Sequence, residues 1–158
     1  MDKPPTSAPS AVPRPGEGKR GTEGYIAYLL RQAAAAARLA TERALADLGA
    51  TPPQFMVLTM LEAYPGASGA EVARLAQLTP QTVNLIIRNL ERAGAVAKTA
   101  HPGHGRVLQL RVTESGRALL AACKERAGSV NQRLSAGLSP AEEAMVRAWL
   151  VRVAVELQ

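Results

Sequence analysis

The chain has one cysteine, Cys123, in 158 residues. No intramolecular disulfide is possible, and nothing argues for an oxidising compartment. Aromatic residues are scarce, at 3%. The core must therefore be filled by Ala, Leu and Val, which suits helices packed closely together. No apolar run approaches the ~20 residues that span a bilayer. The start, Met1-Asp2-Lys3-Pro4-Pro5, lacks the apolar stretch of a signal peptide. These absences point to a cytoplasmic chain that makes no use of a membrane. Patterns for catalysis are missing too: there is no nucleophile–base pairing, no pair of carboxylates in a cleft pattern and no phosphate-binding glycine loop. An enzyme is the least favoured reading. Acidic residues are in deficit, with 13 Asp and Glu against 19 Lys and Arg, a formal net charge of +6. Such a balance suggests an acidic partner, either nucleic acid or an anionic surface. A merely soluble basic protein is the plain alternative.

Hydrophobic residues make up 47% of the chain, enough for a core in one domain or two fused lobes. Residues 1–21 are rich in Pro, Gly and Ser and poor in large apolar side chains, so they read as a disordered tail. Beyond the tail comes a series of helix signals. Thr51-Pro52-Pro53-Gln54, Ser68-Gly69-Ala70-Glu71 and Ser139-Pro140-Ala141-Glu142 have the form of capping boxes. Thr79-Pro80 is a further start and Thr113-Glu114 a weaker one. Gly49, Gly66, Gly94 and Gly137 stand where helices should stop. The reading is six helices: Gly24 to Leu48, Pro52 to Tyr64, Gly69 to Gln77, Pro80 to Ala93, Glu114 to Ala136 and Pro140 to Leu157. Between the fourth and fifth the period changes. Leu108, Leu110 and Val112 alternate with polar residues, as in a half-buried strand, and Val96 to Thr99 is its partner. His101-Pro102-Gly103-His104-Gly105 joins the two as a hairpin tip.

Three short helices followed by a two-stranded hairpin make a winged helix-turn-helix. The expected class is mainly α with a small β-hairpin wing, occupying residues 49–113. The segments 22–48 and 114–158 would then build a helical dimerisation region from both chain ends. In this arrangement the second helix of the tight pair enters the major groove of double-stranded DNA. On the Pro80 helix, Val83, Ile86, Ile87 and Leu90 recur at helical spacing and anchor it to the body. Gln81, Thr82, Asn84, Leu85 and Arg88 lie off that stripe, with Thr79 at its start. Gln and Asn suit adenine edges, Arg suits guanine, and Leu85 suits a thymine methyl. From Thr79 to Val112, the basic residues Arg88, Arg92, Lys98, Arg106 and Arg111 face one acid, Glu91. Arg106, next to the glycine-flanked tip, is the candidate for the minor groove.

Thr51-Pro52-Pro53-Gln54-Phe55, Thr82-Val83-Asn84 through Leu90-Glu91-Arg92-Ala93-Gly94, and Arg106 ahead of Val112-Thr113-Glu114-Ser115-Gly116 resemble the MarR family (multiple-antibiotic-resistance regulators). The resemblance runs over nearly all the chain beyond the tail. It implies a cytoplasmic homodimer, usually a repressor, that binds a pseudo-palindrome and often releases it on binding a small ligand. By the same resemblance Tyr25, Tyr28, Arg31, Phe55, Met56 and Leu110 border a pocket suited to an aromatic or carboxylate-bearing effector. A filled core is the alternative. No other cofactor is implied. The sequence departs from the family in carrying His104-Gly105-Arg106 where the wing usually has Asp-x-Arg, and Leu85 and Asn89 where Arg is frequent.

Apolar stripes outside the winged module favour association. Leu120, Cys123, Ala127, Val130 and Leu134 form one, and Val146, Trp149, Leu150, Val153 and Leu157 another. A third, Tyr25, Leu29, Ala33, Ala36 and Ala40, is rich in alanine. A second copy would cover them, or they close an intramolecular bundle. His101 and His104 lack further ligands and read as turn residues or phosphate contacts, not a metal site. Cys123, on an apolar stripe, reads as a core thiol rather than a redox sensor. A competing function is a winged module for protein interaction or RNA binding without operator recognition.

Overall fold

The computed structural model describes residues 12–101 and 104–157, with backbone alone at 100, 101 and 104–108. The elements are α1 (Ile26–Leu45), α2 (Pro52–Ala63), α3 (Gly69–Ala76), α4 (Pro80–Arg92), β1 (Val96–His101), β2 (His104–Val112), α5 (Glu114–Leu134) and α6 (Pro140–Glu156). Five of the six helices start on a hydroxyl. The side chains of Thr51, Ser68, Thr79, Thr113 and Ser139 each accept from a backbone N–H three residues on. At Thr51, Ser68 and Ser139 the reciprocal bond from the cap N–H to Gln54, Glu71 or Glu142 completes the box. Each satisfies backbone donors that no helical carbonyl can reach. At the end of α4 the chain reverses through Gly94, whose φ of 73° favours a residue without Cβ. Between α3 and α4 a non-glycine does the same work: Gln77 sits at φ 53°, and its N–H donates back into the last turn of α3.

The tail departs from expectation. Residues 12–21, read in sequence as part of a disordered stretch, carry a 3-10 turn at Gly18–Arg20. Arg20 explains it. Its Nη1 donates to the Pro13 carbonyl at 2.8 Å and its Nε to Gln32 Oε1 at 3.3 Å, while Gln32 Nε2 donates back to the Arg20 carbonyl at 3.3 Å. Polar bonds to α1 replace the apolar burial that the composition lacks. Residues 1–11 lie outside those described.

Contacts divide the chain into two units, 1–39 and 40–158. In the first, no described residue is buried. The second contains the core. Val57, Leu58 and Leu61 of α2, Val72 of α3, the four apolar residues of α4, Val96, Leu110 and Val112 of the hairpin, and Leu120 of α5 pack as one cluster. A smaller cluster joins Leu45, Ala50 and Cys123, with Phe55 and Leu119 touching both. The hairpin is antiparallel, with Val96 opposite Val112 and Lys98 opposite Leu110. The β2 alternation holds where side chains are described: Leu110 and Val112 are buried and Arg111 is exposed. Together α2–α4 and the hairpin form the winged helix-turn-helix. α6 differs from the rest, since none of its residues is buried.

Candidate nucleic-acid interface

The placement of α4 follows from its pattern. Val83, Ile86, Ile87 and Leu90 are all buried in the main cluster. That leaves Gln81, Thr82, Asn84, Leu85 and Arg88 on the exposed face, as the spacing predicts. Thr79 Oγ1 accepts from Thr82 N–H at 3.2 Å and shares a 2.8 Å hydrogen bond with the Thr82 hydroxyl. The two threonines form one unit at the helix start. Arg88 Nε donates to the Asn84 carbonyl at 3.3 Å, so the root of its guanidinium is steadied against its own helix. Farther along, Arg92 Nη1 donates to Asn89 Oδ1 at 3.2 Å. Leu85 is 57% exposed.

A cleft of about 290 Å³ lies beside this face, lined by Gly69, Asn84, Ile87, Arg88, Lys98 and Leu110. It brings the predicted Asn84 and Arg88 together with Lys98, which sequence reasoning counted only as a loose cation. Lys98 Nζ pairs with Glu91 Oε2 at 2.9 Å. The pair bridges α4 and β1 and uses up the single acid of the segment. A seven-residue separation across a helix end and a glycine turn carries no sequence signal for such a contact. The hairpin backbone places His104 and Arg106 on β2, but their side chains lie outside the described residues.

The proposed pocket residues divide between the units. In the first, Tyr25 is exposed, and Tyr28 is half-buried with the Arg31 guanidinium 6.0 Å from its ring centre, within cation–π range. In the second, Phe55 joins the two core clusters, Met56 is exposed, and Leu110 is 7% exposed within the core. Cys123 is fully buried. Burial pushes its thiol up from the ordinary range, which keeps it protonated and unreactive.

The base of the hairpin is tied to α5. Thr113 Oγ1 and Ser115 Oγ both donate to the Gly94 carbonyl, at 2.6 and 2.8 Å. Thr113 N–H donates to the Ala95 carbonyl at 3.0 Å. Gly116 faces that same carbonyl so closely that a Cβ would collide with it and stand 2.8 Å from Val112 Cγ1. The end of α4, the foot of the wing and the start of α5 therefore meet at one point.

A family model described as MarR family matches residues 48–107. The HTH-type transcriptional repressor Rv2887 of Mycobacterium tuberculosis (strain ATCC 25618 / H37Rv) is 40% identical over 118 residues, which cover 75% of this chain and 85% of that protein. The chain belongs to the MarR family. The crystal structure of the Mycobacterium tuberculosis MarR family protein Rv2887 with salicylic acid superposes with a TM-score of 0.69 at 36% identity, covering 84% of this chain and 98% of that one. The complex of Rv2887 with DNA gives a TM-score of 0.67 at 35% identity, covering 82% and 98%. Within this MarR chain the exposed face of α4 keeps its Gln, Asn and Arg, and carries Leu85 at its centre. No helix among the described residues is long and apolar enough to cross a membrane.

Proposed function

We propose that this MarR-family chain is a cytoplasmic, non-enzymatic transcriptional regulator. It binds a pseudo-palindromic operator in double-stranded DNA as a homodimer, acts as a repressor and responds to a small ligand. One observation carries the reading: α4 is pinned by a buried apolar stripe, while Gln81, Thr82, Asn84, Leu85 and Arg88 of its N-terminal half stand exposed. A helix so presented fits the major groove. Gln81 and Asn84 suit adenine, and Arg88 suits guanine O6 and N7. Thr79 and Thr82, at the helix start, suit a phosphate. His104 and Arg106 come from the wing, where Arg106 fits the minor groove.

The dimer rests on the apolar side chains that one copy leaves in water. On α6 alone, Met145, Val151 and Val155 are at least 64% exposed. Covering such area is worth roughly 25 cal/mol per Å². Two copies of α4 would then lie one DNA turn apart, about 34 Å. The Rv2887 relative is named a repressor and has been crystallised with DNA and with salicylic acid, which supports both the DNA and the effector parts. Within the first unit, an aromatic carboxylate suits the Tyr28 ring and the Arg31 guanidinium beside it.

Selection of duplexes from a random pool tests the whole reading. An enriched inverted repeat is expected, with affinity falling steeply as salt rises. Arg88→Ala should weaken that operator about 10- to 100-fold, and a random duplex far less. Equal losses on both duplexes count against base reading by Arg88. An unenriched pool supports the protein-interaction or RNA-binding module instead.

A further inference from the structure

We infer that Leu85 is a specificity-determining residue of α4 beside the polar base readers, and that it takes the C5-methyl group of a pyrimidine in each half-site. The inference rests on the DNA-binding reading above and adds a chemical identity for one base position.

Three observations carry it. At about 3.6 residues per turn, Leu85 lies on the side of α4 away from Val83, Ile86, Ile87 and Leu90, so it points outward from the body together with Gln81 and Arg88. It belongs to neither core cluster and is 57% exposed. The fold therefore makes little use of it. And it is isolated in kind. Gln81, Thr82, Asn84 and Arg88, its neighbours on the exposed face, are all polar. An apolar patch framed by hydrogen-bonding groups suits a surface that is itself polar with one apolar point.

The major groove has such a surface. Its edges present hydrogen-bond donors and acceptors throughout, and the pyrimidine C5-methyl is its one apolar projection. Against that methyl Leu85 loses water without stranding a polar atom. Against a cytosine edge it would cover the N4 amino group and offer it no acceptor, which penalises the wrong base. The same side chain thus attracts one base and repels another. A long cation at this position would instead reach for a phosphate or a guanine. The methyl has two sources, thymine and 5-methylcytosine, with the same shape and position.

The test uses the full-length chain and the inverted repeat recovered by selection. Each thymine of a half-site is replaced by deoxyuridine, which removes the methyl and nothing else. One position per half-site is expected to weaken binding about 4-fold, and about 15-fold when both half-sites are changed. Leu85→Ala should bind the thymine and uracil duplexes equally. Leu85→Met, which keeps an apolar side chain, should retain the preference. Cytosine in place of that thymine should weaken binding more than uracil does, and 5-methylcytosine should recover only the part due to the methyl; cytosine selected at that position overturns the inference. Both variants change a solvent-facing residue, and their unchanged melting checks that they fold. A uracil scan flat to within 2-fold, or a loss that persists undiminished in Leu85→Ala, overturns the inference while leaving operator binding intact. Failure to recover any repeat overturns the DNA-binding reading itself, so the two failures are distinct.

Discussion

Gly116 shows how much a single side chain can decide. Its missing Cβ lets the first turn of α5 close on the Ala95 carbonyl and Val112. These neighbours are backbone and a core side chain, neither of which yields easily. Gly116→Ala should destabilise the fold by about 2–4 kcal/mol despite alanine's better helix propensity. Chemical denaturation measures this, and a neutral or stabilised variant would show that the contact relaxes freely. The glycine was visible in sequence within the Val112-Thr113-Glu114-Ser115-Gly116 run. Its purpose was not, because the partner carbonyl lies 21 positions back along the chain. The same distinction holds across the candidate interface. The outward set Gln81, Thr82, Asn84, Leu85 and Arg88 was legible because helical periodicity alone separates it from the buried stripe. The Arg88 bond to the Asn84 carbonyl, the Lys98–Glu91 pair and the left-handed Gln77 were not, since each depends on a choice of side-chain or backbone conformation that no spacing dictates.

Among the elements, the helix starts were the most readable feature, because a cap is a contact between residues three apart. α3 and α6 carry the charged form of the box. The Glu71 carboxylate accepts from the Ser68 backbone N–H and from its hydroxyl, both at 2.8 Å. These bonds, the backbone one first, hold its pKa below the ordinary carboxylate value of 4.5, with Arg74 adding slightly. Glu142 is lowered likewise, chiefly by the Ser139 hydroxyl and then by its backbone N–H. A lowered folded-state pKa gives stability that is complete above the ordinary value and is lost as pH falls through the lower one. Glu71→Gln keeps the shape of the box without the charge. The wild type should therefore melt higher than Glu71→Gln near neutral pH, and the gap should close on acidification below pH 4.5. A gap that stays constant down to strong acid would mean that the charge contributes nothing there. The start of α1 was less readable: the sequence opened the helix at Gly24, and the structure opens it at Ile26. The tail turn was missed for a related reason. Composition reports only that residues 12–21 cannot build an apolar core, and the bonds between Arg20 and Gln32 span 12 residues.

At the scale of the whole molecule, the proposed dimer rests on apolar side chains that α6 leaves in water. Within α6, Val146 and Leu150 lie one turn apart and are 42% and 44% exposed. Trp149, beside them, lines a mostly apolar groove with Met145, Val146 and Ala148, edged by Arg152. A charge on this surface costs the isolated chain little, since the residues face water there, but it would be stranded in a subunit interface. The double substitution Val146→Asp, Leu150→Asp should leave helical circular dichroism unchanged and give a single-copy mass in sedimentation. Operator affinity should fall at least about 100-fold, because one half-site must then hold the protein alone. A double variant that still sediments as a dimer would place the interface elsewhere.

The meeting of two hydroxyls on the Gly94 carbonyl bears on how such a regulator would respond to a signal. The end of α4, the foot of the hairpin and the first turn of α5 are hydrogen-bonded together at that junction, so in the proposed regulator they would turn as a single lever. A ligand that shifts α5 by a small angle need not melt or bend α4. In the proposed dimer it would swing the tip of each lever out of phase with the helical pitch of the duplex, and a change too small to see in either arm would become a mismatch in the span between them.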